Sequence, residues 1–302
     1  MLQLFIAQTY EGLCDWLSVA TRYKAYLAAI APKIGDAEAR HLYRLGIAQT
    51  RSGQLQTGRE NKAKAVALLT STLDSLEKEK RGTPAHKAEI LRTLAGTYAA
   101  EKQYDKALPT LERAVALAPP AKRTEYQLGL ASLYDDLKRH DESQKILLEA
   151  HQREPNNPMV LNHLGYFYAE RGRNLDQAVE LVKKALHYDP LNGAYLDSLG
   201  WAYYQQGKNQ QAADLLKRAA VYEEDAVILD HLGDAYQRLG KTQEARDAWL
   251  QALRHDPDIE AVKEKLKKTE PQAPPPPGPP KPPTPGAPTK GSEAPPPKAP
   301  NP

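Results

Sequence analysis

The sequence predicts an all-α solenoid of stacked helix-turn-helix repeats that ends in a disordered proline-rich C-terminal tail. Two observations predict the solenoid and a third predicts the tail. The segments 161–168, 196–203 and 229–236 are near copies of one pattern, Leu-x-x-Leu-Gly-x-x-Tyr, and their glycines Gly165, Gly200 and Gly233 lie 35 and 33 positions apart. Each copy is followed by a second apolar stripe at helical spacing, centred on alanine. From Thr269 onward about half of all positions are proline, and little apolar surface remains to bury.

The unit 194–224 shows what the pattern demands. Leu196, Leu199, Gly200 and Tyr203 fall at i, i+3, i+4 and i+7, one face of a first helix. Gly207 follows where that helix must stop, because glycine adopts the left-handed closing conformation cheaply. Ala212, Leu216 and Ala219 share a face of the second helix. The small residues Gly200 and Ala212 let the two backbones approach, with Tyr203 and Leu216 filling the space beside them. The next unit, 229–257, repeats the set with Gly233, Tyr236, Gly240, Ala245, Trp249, Ala252 and a terminating Pro257. The preceding unit, 161–190, has Gly165, Tyr168, Gly172, Ala178, Val182, Ala185 and Pro190, with one extra residue in its turn. Proline is expected to end the second helices, since it lacks a donor and clashes with the preceding turn.

Two further units lie upstream, 91–119 and 127–155, with Ala95 and Ala131 in place of the close-contact glycine. These five units make up a repeat region over residues 86–257. Residues 1–85 read as divergent units of the same kind. Leu42, Leu45 and Gly46 begin one that Ala65 and Leu69 complete, although its connection from Arg51 to Lys62 is long and Gln49 stands where tyrosine is expected. Ile6, Ala7, Tyr10 and Pro32 thread as another. Residues 258–268 read as a capping helix, with Ile259, Val262 and Leu266 on its apolar side and the lysines of Lys263–Lys268 in solvent, as the polar end of a solenoid requires. Residues 269–302 form the tail, with polyproline II expected over Pro274–Pro283; it reads as a spacer or solubilising segment, with docking through PxxP spacings such as Pro280–Pro283 as the alternative.

This residue set at this period resembles the tetratricopeptide repeat family, and residues 162–249 resemble the C-terminal repeats of many bacterial members. The resemblance implies a right-handed superhelix whose first helices line a concave groove, and a non-catalytic scaffold that holds a partner's segment there. An accessory module of a larger enzyme or cell-envelope assembly is the alternative. Beside the packing positions runs a second stripe of the first helices. It carries Asn162 and Tyr166, then Asp197, Trp201 and Tyr204, then Asp230, Asp234 and Gln237. The upstream units place Arg92, Gly96 and Ala99, then Leu128, Ser132 and Asp135 there. Trp201 and Tyr204 are expected as exposed aromatic anchors flanked by acids, which suits a protein or peptide segment with basic and apolar side chains. The family's lysine-rich clamp for a terminal carboxylate is not expected, because Asn162 alone matches it.

Charge and motifs narrow the function further. A formal charge of +3 on 302 residues argues against a nucleic-acid footprint, and an acidic groove argues against RNA. No stretch approaches 18 uninterrupted apolar residues, so no membrane insertion is expected. The short apolar start, interrupted by Glu11 and Asp15, does not read as a secretory signal. A cytoplasmic location is therefore the expectation, with a periplasmic or envelope-associated one if the chain starts further upstream. The single cysteine, Cys14, excludes an internal disulfide. No H-E-x-x-H, C-x-x-C, G-x-S-x-G or phosphate-loop motif occurs, so neither enzymatic activity nor a cofactor is expected. His163 and His231 occupy equivalent positions two repeats apart, too far to share a metal bonded at about 2 Å, and are expected at the surface.

Overall fold

The computed structural model of the chain describes residues 18–22, 55–80 and 82–269. Residues 18–22 are helical, and no strand occurs among the described residues. Helix α1 (Leu55–Lys78) precedes five helix pairs. The pairs are α2 (Pro84–Ala100) with α3 (Tyr104–Leu117), α4 (Pro120–Asp136) with α5 (His140–Arg153), α6 (Pro158–Glu170) with α7 (Leu175–Tyr188), α8 (Gly193–Gln205) with α9 (Asn209–Tyr222), and α10 (Ala226–Arg238) with α11 (Thr242–His255). Helix α12 (Glu260–Lys268) closes the series. Each first helix packs on its own second helix and on the second helix of the pair before it, the connectivity of a solenoid. The tail from residue 270, Cys14, and the positions Ile6, Ala7, Tyr10, Pro32, Leu42, Leu45, Gly46 and Gln49 lie outside the described residues. Ala65 and Leu69 are described, fully buried on α1.

Local chemistry explains where the helices start and stop. Thr83, Asn157, Asn192 and Asp225 each accept a hydrogen bond from a backbone N–H in the first turn of α2, α6, α8 and α10. Pro84, Pro120 and Pro158 occupy first-turn positions of α2, α4 and α6, where a missing donor costs nothing. The first helix of each pair closes with a left-handed residue: Lys102, Lys138, Gly172, Gly207 and Gly240. The N–H groups of the residues that follow, Gln103, Arg139, Arg173, Lys208 and Lys241, return to the carbonyls of Tyr98, Tyr134, Tyr168, Tyr203 and Tyr236. The third pair carries its extra turn residue as Asn174, also left-handed at φ 50°. Second helices α3, α5, α7 and α11 are followed by Pro119, Pro155, Pro190 and Pro257, whereas α9 ends at Tyr222 without one. There the chain leaves through Glu223 and Glu224 to the Asp225 cap.

Three of the motif tyrosines carry a cation as well. Arg139 lies 4.6 Å over the Tyr134 ring and Lys208 lies 5.3 Å over Tyr203, with Lys241 at 5.7 Å over Tyr236. The same residue thus closes the helix with its backbone and covers the tyrosine with its side chain.

Backbone contact within a pair is tightest at the motif glycines. A Cβ on Gly165 would sit 2.5 Å from Val182 Cγ2, and one on Gly200 would sit 2.7 Å from Leu216 Cγ. On Gly233 it would overlap the indole of Trp249. Ala212 and Ala245 on the second helices are fully buried, Tyr168 is buried, and Tyr203 and Tyr236 are partly buried beside them. Gly96, on a first helix that uses Ala95 at the contact position, has nothing among the described residues within 4 Å of such a Cβ. Gly200→Ala should therefore lower stability by about 1–3 kcal/mol, whereas Gly96→Ala should raise it by about 0.5–1 kcal/mol. Urea midpoints of the two variants check this, and equal shifts would contradict the packing described.

Candidate functional site: the face of the first helices

The second stripe of the first helices differs along the solenoid. Over α6, α8 and α10 it is bonded to itself. The Trp201 indole N–H donates to Glu170 at 2.8 Å, and the ring stacks on His231 with centroids 4.0 Å apart and planes 16° apart. On its own helix it also stacks on Tyr204, at 4.6 Å and 11°. Arg238 covers the other side of this set, 3.7 Å over the Tyr204 ring, and donates to the Tyr204 carbonyl at 3.0 Å. A column of imidazole, indole, phenol and guanidinium therefore joins α8 to α10. Asp197 holds the His231 end through a 2.8 Å contact to Nδ1.

This setting corrects the expectation of an open, exposed stripe. Trp201 is only 9 % exposed and Asp197 6 % exposed, while Tyr204 is partly buried in the column. Of the two histidines expected at the surface, His231 is 7 % exposed and His163 is half-buried. For Trp201 and Asp197 the cause lies one repeat away, where α10 delivers the imidazole that covers both. Asn162 is buried too, with an Oδ1 that has no hydrogen-bond partner among the described residues. Tyr166 is partly buried 6.5 Å from His231, and burial, followed by the charges of Glu170 and Asp197, raises its pKa. Gln237 is exposed.

Asp230 and Asp234 are also engaged. Lys265 from α12 bonds Asp230 at 2.6 Å and Asp234 at 2.8 Å, and lies 5.9 Å over the Trp249 ring. Val262 of α12 is fully buried, with Ile259 and Leu266 packed beside it against Trp249. The lysines of α12 are thus not all solvated, and Lys265 is a tether to α10.

The face opens between α2 and α4. A cleft of about 260 Å³ runs there, with Arg92, Gly96 and Ala99 on one wall and Glu125, Gly129, Ser132 and Asp136 on the other. Among the described residues, Gly129, like Gly96, has no atom within 4 Å of a built Cβ. At one end Glu89 accepts from Arg92 at 2.9 Å and from the Tyr126 hydroxyl at 2.7 Å. The Arg92 bond, opposed by burial and aided by Tyr126, holds the Glu89 carboxyl pKa down to about 2. Burial and Glu89 push the Tyr126 phenol up to about 12. Between the two regions Asp135 joins α4 to α6 through Arg171, whose guanidinium lies 3.7 Å over Phe167.

Family profiles described as tetratricopeptide repeat match residues 98–165, 168–226 and 226–259, together more than half of the chain. The chain belongs to the tetratricopeptide repeat family. It is similar to a crystal structure of a thermophilic tetratricopeptide protein from Thermus thermophilus, with 21 % identity and a TM-score of 0.53 over 60 % of this chain and 98 % of that one. It is also similar to a tetratricopeptide repeat protein from Parabacteroides merdae, with 18 % identity and a TM-score of 0.56 over 88 % and 97 %. At these identities the likeness is one of fold. No curated protein sequence matches the chain. The fold is the family's right-handed superhelical solenoid, and its repeats are in general protein–protein interaction modules. Among the described residues no helix is long and apolar enough to cross a membrane, and no three His, Cys, Asp or Glu side chains are grouped to hold a metal ion.

The residues that sequence reasoning passes over are Glu170, Arg238 and Lys265 in the bonded region and Glu125, Gly129 and Asp136 in the cleft. A usable signal exists for the first set. Asp197 and His231 are 34 positions apart, Tyr204 and Arg238 also 34, and Asp230 and Lys265 are 35 apart, each close to one repeat.

The column makes its own demands on stability. Trp201→Ala should cost about 3 kcal/mol or more, the range for a buried indole, read from a urea midpoint. His231 gives a pH dependence. Burial alone would lower its pKa, but Asp197, by charge and hydrogen bond, outweighs it and the net shift is upward. A raised folded pKa means that this stabilisation is fully present below the unfolded value of about 6.5 and is lost as pH rises through the folded value. His163, lowered by burial, acts in the opposite sense, so the comparison is with Asp197→Asn. That variant should lose more stability relative to the parent at pH ~5.5 than at pH ~9. An equal loss at both would contradict the pairing.

Proposed function

We propose that the chain is a non-catalytic interaction scaffold that holds a segment of a protein partner against the face of its first helices, seated in the cleft between α2 and α4. The observation that carries this reading is the unfilled space over Gly96 and Gly129. In the later repeats Tyr166, Trp201 and Asp234 stand where Gly96 stands, each in contact with a side chain further along the solenoid. Glycine at that position leaves a trough between two helices, with room for the side chains of an extended chain. In this reading Trp201, Tyr204, Asp197, Asp230 and Asp234 brace the far end of the face, and the partner-contacting residues are those of the cleft.

The test is a tryptophan placed in the trough. Gly129 is exposed and a Cβ there meets no described atom within 4 Å, so thermal unfolding of Gly129→Trp should stay within a few degrees of the parent. Crosslinked pull-down from native extract, quantified by mass spectrometry, should show partner recovery reduced about tenfold or more, the scale of an interface hot spot. Leu250→Glu, on an exposed outer position of α11, is the control and should leave recovery unchanged. Recovery unaffected by Gly129→Trp would contradict the proposal, and stoichiometric recovery within one fixed assembly would favour an accessory subunit.

A further inference from the structure

We propose that the cleft takes an extended, doubly basic segment of a protein partner, with one cation against Glu125, a second against Asp136, and small or apolar side chains between them. This rests on the reading of the cleft as the partner site and adds the chemistry of what enters it.

Glu125, Gly129, Ser132 and Asp136 lie at i, i+4, i+7 and i+11 on α4, so the two carboxylates stand at opposite ends of one wall, about 16 Å apart by helical rise. An extended chain advances about 3.3 Å per residue and turns every second side chain to the same face, so residues four apart present both side chains to this wall about 13 Å apart, and the long lysine stems reach the remainder. Between the carboxylates the wall is Gly129 and Ser132, facing Gly96 and Ala99 on α2. Apolar side chains fit this middle stretch, and charged ones would find no partner there.

Charge complementarity decides the sign. Along the rest of this face the acids already have partners: Glu89 has Arg92 and Tyr126, Asp135 has Arg171 and His140, Glu170 has Trp201, and Asp197 has His231. Asp230 and Asp234 share Lys265, which shows a lysine ammonium seated on this surface. Glu125 and Asp136 are the exceptions. Both are exposed, and among the described residues neither makes a salt bridge or a side-chain hydrogen bond. The cation on the cleft wall, Arg92, is bonded to Glu89 and also feels the charge of Glu125, without a hydrogen bond to it. Asp136, although exposed, is partly desolvated at its helix end; that, then the charge of Asp135, raises its pKa against the opposing charge of Lys138, and an incoming cation favours the ionised form. Binding should accordingly strengthen as pH rises through that raised value.

The test uses the full chain and three fluorescein-labelled pentapeptides, read by anisotropy at low salt. One has lysine at both ends with alanine and valine between, one has glutamate at both ends, and one has both lysines adjacent at one end. The expected result is binding of the lysine-ended peptide about fivefold or more tighter than either control, as two partly screened ion pairs allow. It should weaken about fivefold in a variant combining Glu125→Gln with Asp136→Asn, weaken with salt, and be lost in Gly129→Trp. Equal binding of the glutamate-ended peptide, or no effect of the double variant, overturns the proposal. If that equal binding is still lost in Gly129→Trp, the cleft remains the partner site and only its chemistry was misassigned; if Gly129→Trp leaves all binding intact, the site itself falls. Lysine-peptide binding seen only after deletion of residues 270–302 would make the chain's own tail the occupant. Self-association abolished by Gly129→Trp, with no peptide bound, would make it a second copy. Either outcome overturns an external basic segment.

Discussion

Each clear repeat holds its two helices at backbone contact through a position that tolerates no side chain. At Gly165, Gly200 and Gly233 even a methyl group would collide with Val182, Leu216 or Trp249. That contact fixes the distance between first and second helix, and the buried alanines opposite keep the same spacing. Because each first helix also rests on the second helix before it, the distance within a pair sets the step between pairs. The alignment of the first helices, and with it everything on their outer stripe, follows from this one close approach. Where alanine replaces the glycine, at Ala95 and Ala131, the residue is still almost completely buried.

Given that alignment, residues one repeat apart face each other across neighbouring first helices. The chain uses this in two ways. From α6 to α12 it places complementary groups at the repeat spacing, and the result is a run of links from Glu170 to Trp201, Asp197 to His231, and Asp230 and Asp234 to Lys265. Partly buried polar links of this kind add little net stability individually, but an unmade one would leave a costly unpaired group, so they fix the relative placement of the helices. Between α2 and α4 the chain places glycine, alanine and serine at the facing positions, and the same geometry produces an open trough. A braced end and an open end are thus two fillings of one frame.

The frame itself is legible in the sequence because its requirements are local. A glycine that must meet a neighbouring helix, a left-handed residue after Tyr203, and alanines at helical spacing all leave their mark within one unit. The filling of the outer stripe is less legible. A helical wheel places Trp201 off the packing face of its own repeat, and only the next repeat shows that His231 covers it. Its separation of two repeats from His163 makes His231 look like a surface residue, whereas its partner, Asp197, lies one repeat away. Lys265 looks like part of a solvated lysine run for the same reason: its two aspartates are about a repeat away in sequence. Gly96 and Ser132 fall on the correct stripe, but small residues carry no chemical signal until the space above them is seen.

Among the described residues, the face of the first helices is therefore bonded to itself over α6, α8 and α10 and open between α2 and α4. Amide hydrogen exchange of the full chain, resolved to single helices by mass spectrometry, tests this most directly. Local opening free energy should follow the density of buried links. The expected pattern is that α6, α8 and α10 exchange slowest and open together as one unit, with α2 and α4 faster. Slower exchange in α2 and α4 than in α8 and α10, or independent opening of α8 and α10, would contradict it.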